Sequence, residues 1–382
     1  MTALARDPLP DPRAAFAAIR MIADDMTGAL DTAAAFAGLA SPLRVGIAVQ
    51  DSRSLVLDIG TRERESEDAA TAAQAAAALL APAPGRLSFF KVDSLLRGHA
   101  GAELAAILAT NRFDRVIIAP ALPEQGRRTR SGRQVWIQGG TWTPTGEDLG
   151  EALAAAGHPV AQLGPESLPD RGISLFDAET PDDLDRIVAN GFAAGGSLLW
   201  VGSAGLARAL ARTVADAPSS DLRWEGPLLA LIGTDHAVTA AQLDAVAPLR
   251  REATDTAGII ALLGQSGATF VTTALPAGTP RPAAHATIAA RFASLVADVP
   301  QPGTLLVSGG ETLRALLPSL GATGLDVLGE LQPGIALSRL TEGRWRGTAV
   351  ISKSGAFGEP GLFADLATRA SSAPTSAGKI PS

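Results

Sequence analysis

The chain has 382 residues but no cysteine, no tyrosine, only four histidines and just 4% aromatic residues. Without cysteine there can be no disulfide framework, no zinc–thiolate site and no cysteine nucleophile. That fits a reducing compartment, and a cytoplasmic location is expected. With so few aromatics, the cores must be built mainly from Ala, Leu, Val and Ile. Polar residues and prolines interrupt every apolar run, so no transmembrane helix and no membrane partner is predicted. The N-terminal stretch MTALARDPLPDPRAAF has no apolar segment of the secretory kind, and residues 1–17 read as a disordered leader. A surplus of positive charge is also missing. The formal net charge is −7, which argues against nucleic acid as a main partner, because phosphate contacts need clustered Lys and Arg. The basic stretch Arg127, Arg128, Arg130 and Arg133 is local. Walker A, GxGxxG and GxSxG motifs are all absent.

What is present is 46% hydrophobic and 19% charged residues, enough to bury sizeable cores, in a chain long enough for two domains. Apolar runs of strand length alternate with Ala-rich helical stretches. The pattern predicts strands over 18–23, 43–49, 54–58, 87–92, 115–119 and 197–201, and helices over 28–40, 67–80, 101–110, 181–189 and 204–214. After the turn-rich segment 217–226, a candidate linker, it restarts. Strands are predicted over 228–232, 269–273, 304–307, 334–339 and 348–352, and helices over 238–246, 284–296, 311–317 and 360–367. This alternation implies an α/β fold of two α/β domains with mainly parallel sheets. The domains are placed at 18–216 and 227–370, with a disordered tail at 371–382.

Six strand exits carry chemistry. At Asp24-Asp25-Met26-Thr27-Gly28 two carboxylates precede a helix, at the sheet edge where α/β proteins bind ligands. A carboxylate there can accept a bond from a sugar hydroxyl or take its proton; it can equally be a helix cap. Asp31, one turn on, could face the same site or solvent. At Lys91-Val92-Asp93-Ser94 and on to Arg97-Gly98-His99, a cation, a carboxylate and a hydroxyl suit a polyhydroxylated anion. An ion pair of Lys91 with Asp93 or Asp25 is the plainer alternative, and His99 reads as structural. Arg62, four residues after the strand ending at Asp58, offers a bidentate fork for a carboxylate. Ser308-Gly309-Gly310-Glu311-Thr312 puts glycines at a strand-to-helix turn, where backbone amides can approach phosphate. Lys353-Ser354-Gly355 and Gly233-Thr234-Asp235 repeat that theme. Three such exits in one domain suggest a nucleotide crevice, although α/β loops need glycine in any case.

Taken together and in order, these segments resemble the four-carbon acid sugar kinase family. The resemblance runs through residues 22–32, Lys91–Gly98, Gly101–Leu104, Ala119–Ala121, Gly126–Arg127 and Gly202–Ala207. It continues through Thr239, Gln242, Ser308–Thr312, Gly321–Leu325, Leu331–Ile335 and Lys353–Gly358. It implies a kinase with a sugar-acid-binding first domain, an ATP-binding second domain and an active site in the inter-domain cleft. Carried over by position, Asp25, Arg62, Lys91, Val92, Asp93 and Ser94 would contact the sugar acid, and Asp25 or Asp93 would be catalytic. Thr234, Gly309, Gly310, Glu311, Thr312 and Gly355 would contact ATP, with Mg²⁺ on its phosphates and its protein ligands unknown. The implied reaction phosphorylates the terminal hydroxyl of threonate, erythronate or 3-oxo-tetronate. Departures from the family pattern are Thr234 for Ser, Glu311 for Asp, Thr61 for Ser before Arg62, and a divergent stretch at 141–145. The rival readings are a nicotinamide-dependent oxidoreductase and a non-catalytic sugar-acid sensor. The implied partners are the small sugar acid and ATP, and a homo-oligomer is left open.

Overall fold

The computed structural model describes residues 16–39, 42–214 and 222–372. The chain divides into two compact units. Residues Met1–Arg44 and Val49–Ser219 make the first; Ser220–Ser382, with Val45–Ala48, make the second.

The strands of the first stretch are β1 (Ala18–Ala23), β2 (Leu43–Gly46), β3 (Ser54–Asp58), β4 (Arg86–Lys91), β5 (Arg115–Ala119), β6 (Arg127–Arg130), β7 (Arg133–Gln138), β8 (Thr141–Pro144), β9 (Val160–Leu163), β10 (Gly172–Phe176) and β11 (Leu198–Gly202). Its helices are α1 (Met26–Ala34), α2 (Ser66–Ala76), α3 (Ala100–Thr110), α4 (Leu149–Ala155), α5 (Pro181–Ala194) and α6 (Ala204–Arg212). The order β3-β1-β4-β11-β5-β10-β9 is parallel throughout. Such strands are covered on both faces and read as nearly unbroken apolar runs, as β3 (SLVLD) and β5 (RVIIA) do. Side chains alternate along each strand. Ile22, Leu57 and Phe90 join one core with Ala73, Leu104 and Leu153. Phe89 points the other way and meets Phe36, just beyond α1, edge-on.

This winding places the site. From β1 the chain passes through α1 to β3 on one side, then through α2 to β4 on the other side of β1. Ligands in open α/β sheets bind where such a reversal leaves a crevice at the carboxyl ends of the strands. Ala23 pairs with both Asp58 and Lys91, so β1, β3 and β4 end level with one another.

The second unit repeats the plan. Its strands are β12 (Leu228–Ile232), β13 (Arg250–Glu252), β14 (Ala268–Thr272), β15 (Thr304–Ser308), β16 (Gly324–Gln332), β17 (Ile335–Leu340) and β18 (Ala349–Lys353). Its helices are α7 (Ala237–Asp244), α8 (Thr256–Ser266), α9 (Arg281–Asp298), α10 (Gly310–Ser319) and α11 (Leu362–Ser372). The order β13-β14-β12-β15-β18 is parallel; β17 and β16 continue it antiparallel. Ile232, Ser308 and Lys353 are register partners, so three strand exits again lie side by side.

Several sequence expectations need correction. The helix expected over 28–40 ends at Ala34, and the strand expected over 43–49 ends at Gly46. The helix 67–80 tightens to a 3₁₀ turn over Ala77–Leu80, and the helix 181–189 continues to Ala194 under a Thr180–Asp183 capping box. Phe16, assigned to the leader, is buried with its ring 6.0 Å from that of Phe36. Ser371 and Ser372, assigned to the tail, belong to α11. The rest of the leader (1–15), of the tail (373–382) and 217–221 of the linker lie outside the described residues. The antiparallel sheet β6-β7-β8, the strands β9, β10, β13 and β16, and the helices α4 and α8 were not anticipated. Among the described residues no helix is long and apolar enough to cross a membrane.

Candidate active site

At the carboxyl edge of the first unit, the exits of β1, β3 and β4 bring Asp24, Asp25, Arg62, Lys91, Asp93 and Ser94 together, all of them buried or nearly so. Asp25 caps α1: its Oδ1 accepts from the Gly28 amide (3.1 Å) and its Oδ2 from the Thr27 hydroxyl (2.6 Å). The capping role and the site role are therefore one arrangement. Arg62 is the hub. Its Nε donates to Asp24 Oδ2 at 2.7 Å and its Nη2 to Asp24 Oδ1 at 2.8 Å; Nη2 also lies 2.6 Å from Asp25 Oδ1 and 3.6 Å from Asp93 Oδ1. Arg62 was expected to offer a free fork to a substrate carboxylate. It is instead occupied by protein carboxylates.

Asp93 is occupied too. It receives Arg97 Nε and Nη2 at 2.7 and 2.8 Å and the amides of Leu95 and Arg97 at 3.1 and 3.2 Å. This removes the expected Lys91–Asp93 pair. Lys91 Nζ instead donates to the Val92 carbonyl at 2.8 Å, while the Val92 amide donates to the Gly202 carbonyl. An ammonium has three donors, and among the described residues no ion pair within 4 Å engages this one. A Cβ added to Gly28 would stand 2.8 Å from Lys91 Nζ and 2.4 Å from Asp25 Oδ1, so glycine leaves the room in which cation and carboxylate face each other. Ser94 is gripped by Arg127, which donates to its hydroxyl, and by Gln134 Nε2, which donates to its carbonyl at 2.6 Å. Asp31 turns away to pair with Arg208 (2.9 Å), and His99 Nε2 meets the Arg64 carbonyl at 2.7 Å.

The charges follow from this geometry. Burial pushes the Asp25 carboxyl up, but Arg62, Lys91 and the Thr27 hydroxyl outweigh it and hold the group below the usual range. Burial likewise raises Asp93, and Arg62 with Arg97 overcomes it to leave Asp93 well below that range. For Asp24 burial wins over Arg62 and Lys91, and its carboxyl sits above the usual range. Behind the pair stands Glu103 on the first turn of α3, 1% exposed. Burial first, and then the Asp24 charge, push it up to about 8. Its Oε1 and the Thr61 hydroxyl are buried without a hydrogen-bond partner; Thr61 lies near enough to lower the Glu103 pKa but not in bonding geometry.

In the second unit the exits of β12, β15 and β18 set Gly233-Thr234, Gly309-Gly310 and Ser354-Gly355 beside one another. Gly309 has φ 120°, a conformation few other residues adopt, and no side chain caps the start of α10. Backbone amides therefore line the positive end of that helix dipole. A Cβ on Gly233 would stand 1.8 Å from Thr312 Oγ1, and one on Gly355 2.4 Å from Thr234 Oγ1. The expected residues Thr234, Gly309, Gly310, Glu311, Thr312 and Gly355 thus lie along neighbouring strand exits, a cradle in which glycine lets the Thr312 and Thr234 hydroxyls close in on the backbone.

Residues 19–161 match the family described as a sugar-binding N-terminal domain, and residues 229–363 that described as a nucleotide-binding C-terminal domain. A D-threonate kinase of Bordetella bronchiseptica is 30% identical, over 89% of this chain and 94% of that protein. A D-erythronate kinase of Heliobacterium modesticaldum is 27% identical, over 88% and 93%. Among solved structures, a Salmonella typhimurium protein is similar with TM-score 0.71 at 20% identity, over 91% of this chain and 98% of that one. A Haemophilus influenzae protein follows with TM-score 0.64 at 20% identity and the same coverage; these two likenesses concern the fold. Sugar-binding and nucleotide-binding domains in one chain define a phosphotransferase. Within that class, the chain belongs to the four-carbon acid sugar kinase family.

Sequence reasoning gave no site role to Arg127 or Glu103: it quoted both only within family-like segments, and Arg127 also as part of a local basic stretch. The signal for Arg127 was its place right after Gly126, whose φ of 65° turns the chain into β6.

Proposed function

We propose that the chain is an ATP-dependent kinase acting on the terminal hydroxyl of threonate, erythronate or 3-oxo-tetronate. The observation that carries this reading is Lys91: a buried ammonium with donors to spare, set beside the ionised Asp25. That pair suits an anion rich in hydroxyls. Lys91 and Arg127 supply the positive charge for the acid's carboxylate, and Arg62 holds Asp24 and Asp25 in place rather than touching the acid. Asp25 accepts the hydrogen bond of the reacting hydroxyl. A strongly basic carboxylate is not required, because phosphoryl transfer proceeds through a loose transition state in which orientation and charge balance dominate. Asp93, already holding four donors, fixes the Ser94–Arg97 turn instead.

The glycine cradle, with the uncapped amides at the start of α10, suits a polyphosphate. Thr234, the start of α10 at Gly310, Glu311 and Thr312, and Gly355 would hold the nucleotide. Among the described residues no group of three His, Asp or Glu side chains could cage a metal. Mg²⁺ usually needs only one or two carboxylates besides phosphate oxygens, and Glu311 is the acid at hand. Bound there with ATP, the ion would supply neutralisation of phosphate charge. Transfer then requires the two bound ligands to meet in line.

A coupled ADP-release assay over the threonates, erythronates and 3-oxo-tetronates tests the proposal. One of these acids should release ADP in proportion to its own consumption. Release by none of them, with ATP and Mg²⁺ saturating, would overturn it.

A further inference from the structure

Lys353 ends β18 and is 1% exposed. Its ammonium donates to Thr239 Oγ1 on α7 at 2.8 Å and to Ser308 Oγ, the last residue of β15, at 3.3 Å. The Thr239 hydroxyl passes the link on, donating to the Gly355 carbonyl at 2.8 Å. The main chain adds another tie, for the Gly309 amide donates to the Lys353 carbonyl at 3.0 Å. One residue thus joins two of the glycine exits, at Gly309 and Gly355, and the helix that follows the third. Its surroundings hold no countercharge. The neighbouring core brings Phe363, Leu366, Leu243, Ile335 and Leu337; the Phe363 ring is 5.3 Å away; α7 adds the neutral Thr239 and Gln242. Among the described residues no carboxylate pairs with Lys353.

A buried ammonium without an anion is costly, and groups perturbed in this way cluster at functional sites. Resting on the reading of this unit as a nucleotide site, we infer that Lys353 is the positioning residue of the cradle, a cation whose counter-anion is the phosphate of the bound nucleotide. Burial alone lowers Lys353 to about 7, so without ligand at pH 7.5 a large share of the molecules carry it neutral. A polyphosphate bound nearby favours the charged form. Nucleotide binding must therefore take up a proton, and affinity must fall as pH rises past neutrality.

Isothermal titration of ADP with Mg²⁺ into the whole protein, in two buffers of different ionisation enthalpy, reads this coupling. At pH 7.5 the natural protein should take up a measurable fraction of a proton; the uptake should fade at pH 6, where Lys353 is already charged. Lys353→Met should bind ADP roughly tenfold or more weakly, about 1.4 kcal/mol, and lose the uptake. Lys353→Arg keeps a permanent charge and should recover affinity without uptake. Should the methionine variant fail to fold, the pH dependence of uptake in the natural protein and in Lys353→Arg still decides. Equal uptake in the natural protein and Lys353→Arg would sink the inference while leaving the nucleotide site standing. Absence of any ADP binding by the natural protein would remove the nucleotide reading and this inference with it.

Discussion

Replacing Glu103 by glutamine should stabilise the protein, and by an amount that depends on pH in one direction only. The Glu103 carboxyl is 1% exposed, has an oxygen with no partner, and faces Asp24, Arg62 and Glu147, while α2 and α4 present only alanine and leucine to that core. Folding lifts its pKa from an ordinary 4.5 to about 8. An acid that is weaker when folded binds more protons in the native state than in the unfolded one. Stability is therefore greatest below the unfolded pKa, declines as pH rises from there to about 8, and is then constant. At about 1.36 kcal/mol per unit, the full loss is on the order of 3–5 kcal/mol. Glutamine keeps the shape and carries no proton to lose. Urea unfolding of both proteins, followed by circular dichroism at half-unit steps from pH 5 to pH 9, measures the difference. The Glu103→Gln advantage should be small near pH 5, grow steadily toward pH 8 and then level off. A difference that does not vary with pH, or one that shrinks on the alkaline side, would refute the reasoning.

Arg62→Met should leave Asp24, Asp25 and Asp93 facing one another with their shared cation gone. Losing one partner of a buried ion pair costs about 3 kcal/mol or more, and the urea midpoint at pH 7 should fall accordingly, with part of the loss recovered at low pH as the carboxylates protonate. Asp25→Asn should lower turnover by roughly a hundredfold in the ADP-release assay, with ADP affinity unchanged; full turnover would take Asp25 out of the mechanism.

Much of the site was legible in the sequence because strand exits are local features. The strands 18–23, 54–58, 115–119 and 228–232 were placed to the residue, since buried parallel strands announce themselves as short apolar runs closed by polar turns. The exits of β1, β4, β15 and β18 likewise pointed to Asp25, Lys91, Gly309 and Gly355. Pairings between distant segments were not legible. Nothing near Arg62 in the chain shows that it will be claimed by Asp24 and Asp25, 38 and 37 residues earlier, so it read as a free fork. Glu103 resembles any acidic residue on the first turn of a helix, and only packing against Thr61 and Asp24 buries it. The β6-β7-β8 sheet hid behind its arginines. Arg128 and Arg130 lie over the Trp142 ring at 4.6 and 4.3 Å and pair with Glu179, which turns a run of charge into strand surface.

The division of labour between the two edges can be read in one crossed titration. Lys91→Met and Gly233→Ala are each titrated with ADP–Mg²⁺ and with whichever of threonate, erythronate or 3-oxo-tetronate drives ADP release. Lys91→Met should lose the acid and keep ADP. Gly233→Ala, whose new methyl would meet Thr312 Oγ1 at 1.8 Å, should lose ADP and keep the acid. Loss of both ligands in either variant, or of neither, would contradict a kinase built from a lysine–carboxylate site in one unit and a glycine cradle in the other.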